Sequence, residues 1–184
     1  TRIQLRFFGG WEFTQTDVMQ ADFASIGYRK GVPMGGDLNG HSDSGAPSFM
    51  VAASRDADGA NLDRIQIIKG WLDANGETQE QIYDVALSDG RSANWLGKIA
   101  PVGNTVDIAS ASYSNSIGDP ELTAVWTDPD FDPEQRAFYY ARVIQIPTPR
   151  WTTYDRAYFG AVIDPRAPDI IQDRAYSSPI WYTP

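Results

Sequence analysis

The sequence holds no cysteine and a single histidine, His41. Without thiols there is no disulfide, no cysteine zinc cluster, no iron–sulfur centre and no cysteine nucleophile, and one imidazole is too few for a multi-histidine metal site. The compartment stays open, since proteins of oxidising and reducing compartments alike can do without disulfides. Basic side chains are also scarce: 15 Lys and Arg stand against 24 Asp and Glu, a net charge of −9. That balance offers no basic field for phosphates or anionic lipid, so neither nucleic acid nor a membrane is expected as a partner. No apolar run approaches the length of a membrane-spanning helix, and the first twenty residues show no basic-then-apolar pattern. The chain starts at Thr1 inside an alternating pattern, which we take as the mark of a processed chain or an excised fragment.

What is present reads as a β protein. Hydrophobic residues make up 42% and charged residues 21% of 184 positions, within the globular range and long enough to bury a core. The 16 glycines and 12 prolines fall between short alternating stretches rather than in one linker. Ile3, Leu5 and Phe7 alternate with polar residues and predict a strand, with Phe8 to Trp11 as its turn. Apolar positions three to four apart between Thr14 and Tyr28 predict a short helix. Strands follow around Phe49 to Ala53, Ile65 to Trp71, Tyr83 to Leu87 and Leu122 to Trp126, separated by Asp- and Gly-rich turns. Phe138 to Ile146 is expected as the longest strand, a helical turn near Tyr154 to Phe159, and a last short strand at Ser178 to Tyr182. This rhythm predicts an all-β, antiparallel β-sandwich, immunoglobulin-like or jelly-roll-like, with an N-terminal strand-loop extension.

Several groups invite a chemical role. Gly40-His-Ser-Asp-Ser-Gly45 sets a histidine beside serines and an acid, yet triad members converge from separated segments and no Gly-x-Ser-x-Gly elbow is present, so a solvated loop is the simpler reading. Asp128, Asp130, Asp132 and Glu134 alternate in a way that can gather calcium, but two prolines and the lack of a turning glycine favour a turn before the Phe138 strand. Six tryptophans, at 11, 71, 95, 126, 151 and 181, are expected mostly in the core, with a sugar-stacking platform as the competing use. The glycine loop from Tyr28 to Asp37 is the best remaining group: glycines admit a ligand close to the backbone, with Lys30 and Asp37 beside them.

Taken together, Arg6-Phe-Phe-Gly-Gly-Trp11, Lys30-Gly-Val-Pro-Met-Gly-Gly-Asp-Leu38, Leu62-Asp-Arg-Ile-Gln-Ile-Ile-Lys-Gly-Trp71, Val125-Trp-Thr-Asp-Pro-Asp-Phe-Asp-Pro133, Ala137-Phe-Tyr-Tyr-Ala-Arg142, Ile146-Pro-Thr-Pro-Arg-Trp151 and Ser177-Ser-Pro-Ile-Trp-Tyr-Thr-Pro184 resemble the C-terminal part of a bacterial family, domain of unknown function 3604. Members of that family are longer and usually exported, and their N-terminal parts are similar to metal-dependent phosphoesterases of the polymerase-and-histidinol-phosphatase type. The resemblance implies that metal ligands and a divalent metal belong to an upstream catalytic domain of the same polypeptide, with no cofactor in this chain, and a periplasmic or secreted location. It implies a joint to that domain in residues 1–45 and an accessory sandwich in residues 46–184. Lys30 and Asp37, which lie in the matched glycine motif, are the substrate-binding candidates; no catalytic residue is assigned. The expectation is thus a non-catalytic region that braces a metal-dependent hydrolase and lends a loop to its site. The alternative is a stand-alone carbohydrate-binding or protein-interaction module, whose exposed apolar surface, expected near residues 1–20, would also promote dimers.

Overall fold

In the computed structural model, which describes residues 1–39 and 45–184, the alternating stretches become two packed sheets. The first has the order β2-β1-β4-β7, from β1 (Gln4–Gly10), β2 (Gly31–Pro33), β4 (Ser48–Ser54) and β7 (Glu121–Thr127). The second has the order β3-β12-β8-β5-β6, from β3 (Asp37–Leu38), β5 (Leu62–Leu72), β6 (Thr78–Leu87), β8 (Ala137–Gln145) and β12 (Ile180–Tyr182), with β11 (Arg174–Tyr176) also on β8. Pairing is antiparallel except between β3 and β12, and a two-stranded ladder joins β9 (Thr148–Pro149) to β10 (Ile170–Ile171). The architecture is an all-β sandwich. Residues 1–38 enter both sheets: β1 pairs with β4 from Gln4↔Ser54 to Gly10↔Ser48, and β3 pairs with β12.

Strand alternation sorts the side chains between faces. Phe7, Phe49, Val51, Ile65, Ile67, Ala124, Tyr139, Val143 and Ile180 point between the sheets and make the main core. The opposite face of the first sheet is also covered: Phe8 and Met50 pack with Phe13, Val18 and Ile26, from the segment holding α1 (Gln15–Val18) and α2 (Phe23–Lys30). The helical spacing read from Thr14 to Tyr28 therefore gives two short helices with a break at residues 19–22. Phe8 to Gly10 differ from expectation, for they continue β1 rather than turn. A Cβ at Gly10 would stand 2.8 Å from the Lys30 carbonyl and from the Phe13 ring, so glycine there lets the helices close on the strand.

Two further differences come from tertiary packing. The longest strand is β5, not β8, because β5 runs between β6 and β8 and is hydrogen-bonded on both sides. Within β8 the residues facing the core are Ala137, Tyr139, Ala141 and Val143, so the bulky set Phe138, Tyr140 and Ile144 faces outward. The long connection 88–120 contains only isolated bridges and is tied down by polar groups. The Asn61 amide donates to the carbonyls of Asn115, Ile117 and Gly118, and Arg91 donates to the Asp63 carboxylate and to the Ser88 and Ala100 carbonyls. Gly118 sits at φ +74, where a Cβ would meet Ile146 at 2.6 Å. Among the described residues no helix is long and apolar enough to cross a membrane.

One ion pair lies inside the sandwich. Lys69 Nζ is 2.7 Å from Asp128 Oδ2, with side chains 3% and 0% exposed. Tyr139 donates its hydroxyl to the same oxygen at 2.7 Å, the Asp130 amide donates to Oδ1 at 2.9 Å, and Lys69 also donates to the Asp130 carbonyl at 2.7 Å. Burial, then the neighbouring Asp128 carboxylate, pushes the Tyr139 phenol well above its ordinary range and keeps it a donor. With all partners present the desolvation cost is offset; with the cation gone, an uncompensated carboxylate stays buried. Lys69→Met should therefore lower stability by about 3–5 kcal/mol, and Tyr139→Phe by about 1.5–3 kcal/mol since two partners remain. Urea unfolding near pH 7 checks the order of the two, and a Lys69→Met cost below that of Tyr139→Phe would refute it.

Candidate functional site

The two site residues expected from the glycine motif go to different places. Lys30 ends α2 and donates to both carboxylate oxygens of the buried Asp17, each at 2.8 Å. Asp17 also accepts from the Thr14 amide and hydroxyl at 2.8 and 2.9 Å, so the lysine is one arm of a capped, ion-paired joint between α1 and α2. Asp37 lies in the other sheet, exposed, in register with Trp181 and with no ion pair among the described residues. Gly31 and Gly36 act locally: a Cβ at Gly31 would stand 2.1 Å from the Gly9 carbonyl, and one at Gly36 3.1 Å from the Pro33 carbonyl.

The acidic stretch after β7 does not gather its oxygens. Asp128 turns inward to Lys69, Asp130 accepts from the Tyr83 hydroxyl at 2.8 Å, and Asp132 accepts from the Glu134 amide at 2.9 Å. These three carboxylates serve different partners, and no group of three or more metal-ligating side chains is found among the described residues. His41 and the serines of its motif fall in residues 40–44, outside the described residues.

The tryptophans depart from expectation, since none of the six reaches the fully buried core. Trp11, Trp71 and Trp126 are half-buried against it, while Trp95, Trp151 and Trp181 are exposed on a loop, a helix and a strand respectively. Trp181 faces outward from the second sheet, where it joins a run of rings. The centroids of Trp181 and Phe138 are 5.3 Å apart, those of Phe138 and Tyr140 6.4 Å, and those of Tyr140 and Tyr176 6.3 Å. Tyr140 and Phe138 lie within 13° of parallel.

Register explains how the run is laid out. Across the sheet, Asp37, Trp181, Phe138, Gly70 and Glu80 form one row through four consecutive pairings. An interior strand glycine weakens a strand and marks a place where something approaches closely. Here it is the Phe138 ring: a Cβ at Gly70 would stand 2.3 Å from its Cζ. Beside this row, Leu72, Thr78, Glu80, Arg136, Phe138 and Trp181 line a groove of about 580 Å³. Burial, then the Glu80 carboxylate, raises the Tyr140 phenol above its ordinary range. Sequence reasoning did not single out this face. Its signal was present in Phe-Tyr-Tyr-Ala-Arg142, where aromatics occupy both parities of one strand and only one parity can enter the core.

The Lys30–Asp17 pair makes a pH-dependent prediction. The Lys30 hydrogen bond is the largest influence holding the Asp17 carboxyl below the ordinary aspartate range. A depressed folded value contributes stability that is present above the unfolded value and lost as pH falls through the folded one. Lys30→Met should therefore lower the melting temperature at pH 7, and the gap to the unsubstituted chain should shrink as pH falls below about 4. A gap that is unchanged down to pH 2 in thermal melts would show that the lysine does not act through this pair.

The family implied by the motifs can be compared with the whole chain. No curated protein and no solved structure matches it. A family model described as protein of unknown function (DUF3604) matches residues 1–184, end to end, and the chain belongs to that family.

Proposed function

We propose that this chain is the non-catalytic C-terminal region of a longer, metal-dependent hydrolase, and that it braces the catalytic unit through an exposed helix. The observation that carries this reading is α3 (Trp151–Phe159), a helix that buries its threonines and shows its aromatics. Thr152 and Thr153 are buried, and the Thr153 hydroxyl donates to the Asp169 carbonyl at 2.7 Å. Trp151, Tyr154 and Tyr158 share a helix face by their i, i+3, i+7 spacing; Tyr154 and Tyr158 stack at 6.4 Å, and Tyr158 and Phe159 are 68% and 82% exposed. An apolar ridge of this kind on a water-soluble surface marks a contact with another protein surface. It lies after the end of β8, whereas residues 1–20 bury Phe7, Phe8, Phe13 and Val18 and leave Met19 exposed.

The chain's charges support a bracing role. Its buried carboxylates do not fit a metal centre, because Asp17, Asp63 and Asp128 are each matched by Lys30, Arg91 and Lys69. A divalent metal would be held by the remainder of the polypeptide.

The expected outcome is metal and phosphoesterase turnover in the longer polypeptide and neither in this chain, measured side by side. Tyr158→Ser with Phe159→Ser should reduce self-association of the isolated chain in sedimentation velocity and lower the melting temperature of the longer polypeptide. Stoichiometric metal or turnover in this chain alone would overturn the reading.

A further inference from the structure

We infer that the outer face of the second sheet is a binding site for a neutral oligosaccharide, seated on Trp181 and Phe138 and held at its edges by Asp37 and Glu80. This site is independent of the bracing helix: the groove lies beside the first residues of β8, and α3 follows the last ones. The argument starts from Gly70. In a strand hydrogen-bonded on both sides, a glycine gives up packing and backbone entropy. What it gains is the Phe138 ring, lying where a Gly70 side chain would stand. A ring in that position lies over the glycine, and Trp181, at 5.3 Å and inclined by 50°, stands beside it as the second wall of an aromatic cleft.

The rim sets the ligand's chemistry. Thr78, Gln79, Glu80, Arg136 and Thr183 border the groove, and Asp37 stands one strand beyond Trp181. These hydroxyl, amide, carboxylate and guanidinium groups both donate and accept, which suits the hydroxyl edge of a pyranose whose C–H face lies on an aromatic ring. The groove falls in the size range of small-ligand sites. Charge selects among stacking ligands. Carboxylates close both ends of the row against one guanidinium, Arg136, on the rim, and the chain carries a net charge of −9, a balance that disfavours nucleotides, uronates and sulfated sugars. A neutral sugar chain satisfies both the rings and the rim. The run of rings from Trp181 through Phe138 and Tyr140 to Tyr176 is longer than one pyranose, which points to an oligosaccharide.

Native gels cast with hydroxyethylcellulose, arabinoxylan or galactomannan, with alginate as the anionic comparison, test the site. The chain should be retarded by at least one neutral polymer and not by alginate. Titration with the matching hexasaccharide should show binding about tenfold weaker for Trp181→Ala and unchanged for Trp95→Ala, whose ring is 90% exposed on a distant loop. Asp37→Asn with Glu80→Gln, which leave the packing intact, should also weaken binding even if Trp181→Ala lowers stability. The inference is overturned by no retardation in any neutral polymer, by equal retardation in alginate, or by retardation that all these variants leave unchanged. It is likewise overturned if Trp181→Ala weakens only the contact with the rest of the longer polypeptide, which would make this face a protein interface. None of these failures touches the α3 reading.

Discussion

The sandwich depends on a lysine and an aspartate that meet between its sheets. Lys69 comes from the middle of the second sheet and Asp128 from the residue that follows the edge strand of the first, so one ion pair spans the layers. Around it Tyr139 donates to one carboxylate oxygen and the Asp130 amide to the other, and Tyr83 reaches Asp130 from the edge strand β6. A hydrophobic core tolerates small slips between its layers, whereas a buried charge has one arrangement in which it is compensated. The pair therefore sets how β7, the turn into β8 and the second sheet sit against one another.

That placement also determines the outer surface. Successive strand residues face opposite sides, so the lysine that points into the sandwich is followed by Gly70 pointing out. With Lys69 paired inside, Gly70 stands in register with Phe138 and the aromatic row is assembled beside it. Polar groups extend the same face toward the far end: Arg64 and Gln66 share Asp84, and Arg142 donates to Gln66 at 2.8 Å. The face is thus divided into an aromatic end and an ion-paired end, the latter tied to the long connection through Asp63 and Arg91.

Sequence patterning made the fold class legible because strand and helix periods are local properties. Ile65 and Ile67, or Phe49 and Val51, declare their inward face without help from the rest of the chain. In β8 the inward set includes Ala137 and Ala141, small because Tyr139 between them fills the space, while larger residues of the other parity face solvent; hydrophobicity alone selects the wrong face there. The same limit hid the site. Lys30 and Asp37 share one glycine motif, yet Lys30 ends α2 over the first sheet while the turn after β2 carries Asp37 into the second. The row that includes Asp37 joins segments from residue 37 to residue 181, a juxtaposition created by pairing that no sequence window contains.

The two sheets are finished differently on their outer faces, and that asymmetry bears most directly on function. The first sheet is covered by the chain's own helices, with Phe8 and Met50 sealed beneath Phe13, Val18 and Ile26. The second keeps Trp181, Tyr176, Ile82 and Leu72 open to solvent. A chain that only needed stability could alternate polar residues along that face, as antiparallel sheets with one wet side commonly do. Instead it sets four aromatic rings in contact and gives up a side chain at Gly70 to lay one of them across the strand. With Lys30, Arg91 and Lys69 each engaged by a buried carboxylate, the groove is left with rings, hydroxyls, an amide, the Arg136 guanidinium and the Glu80 carboxylate, which makes no ion pair among the described residues. Rings and polar groups set side by side in this way can hold a ligand by contact and hydrogen bonding.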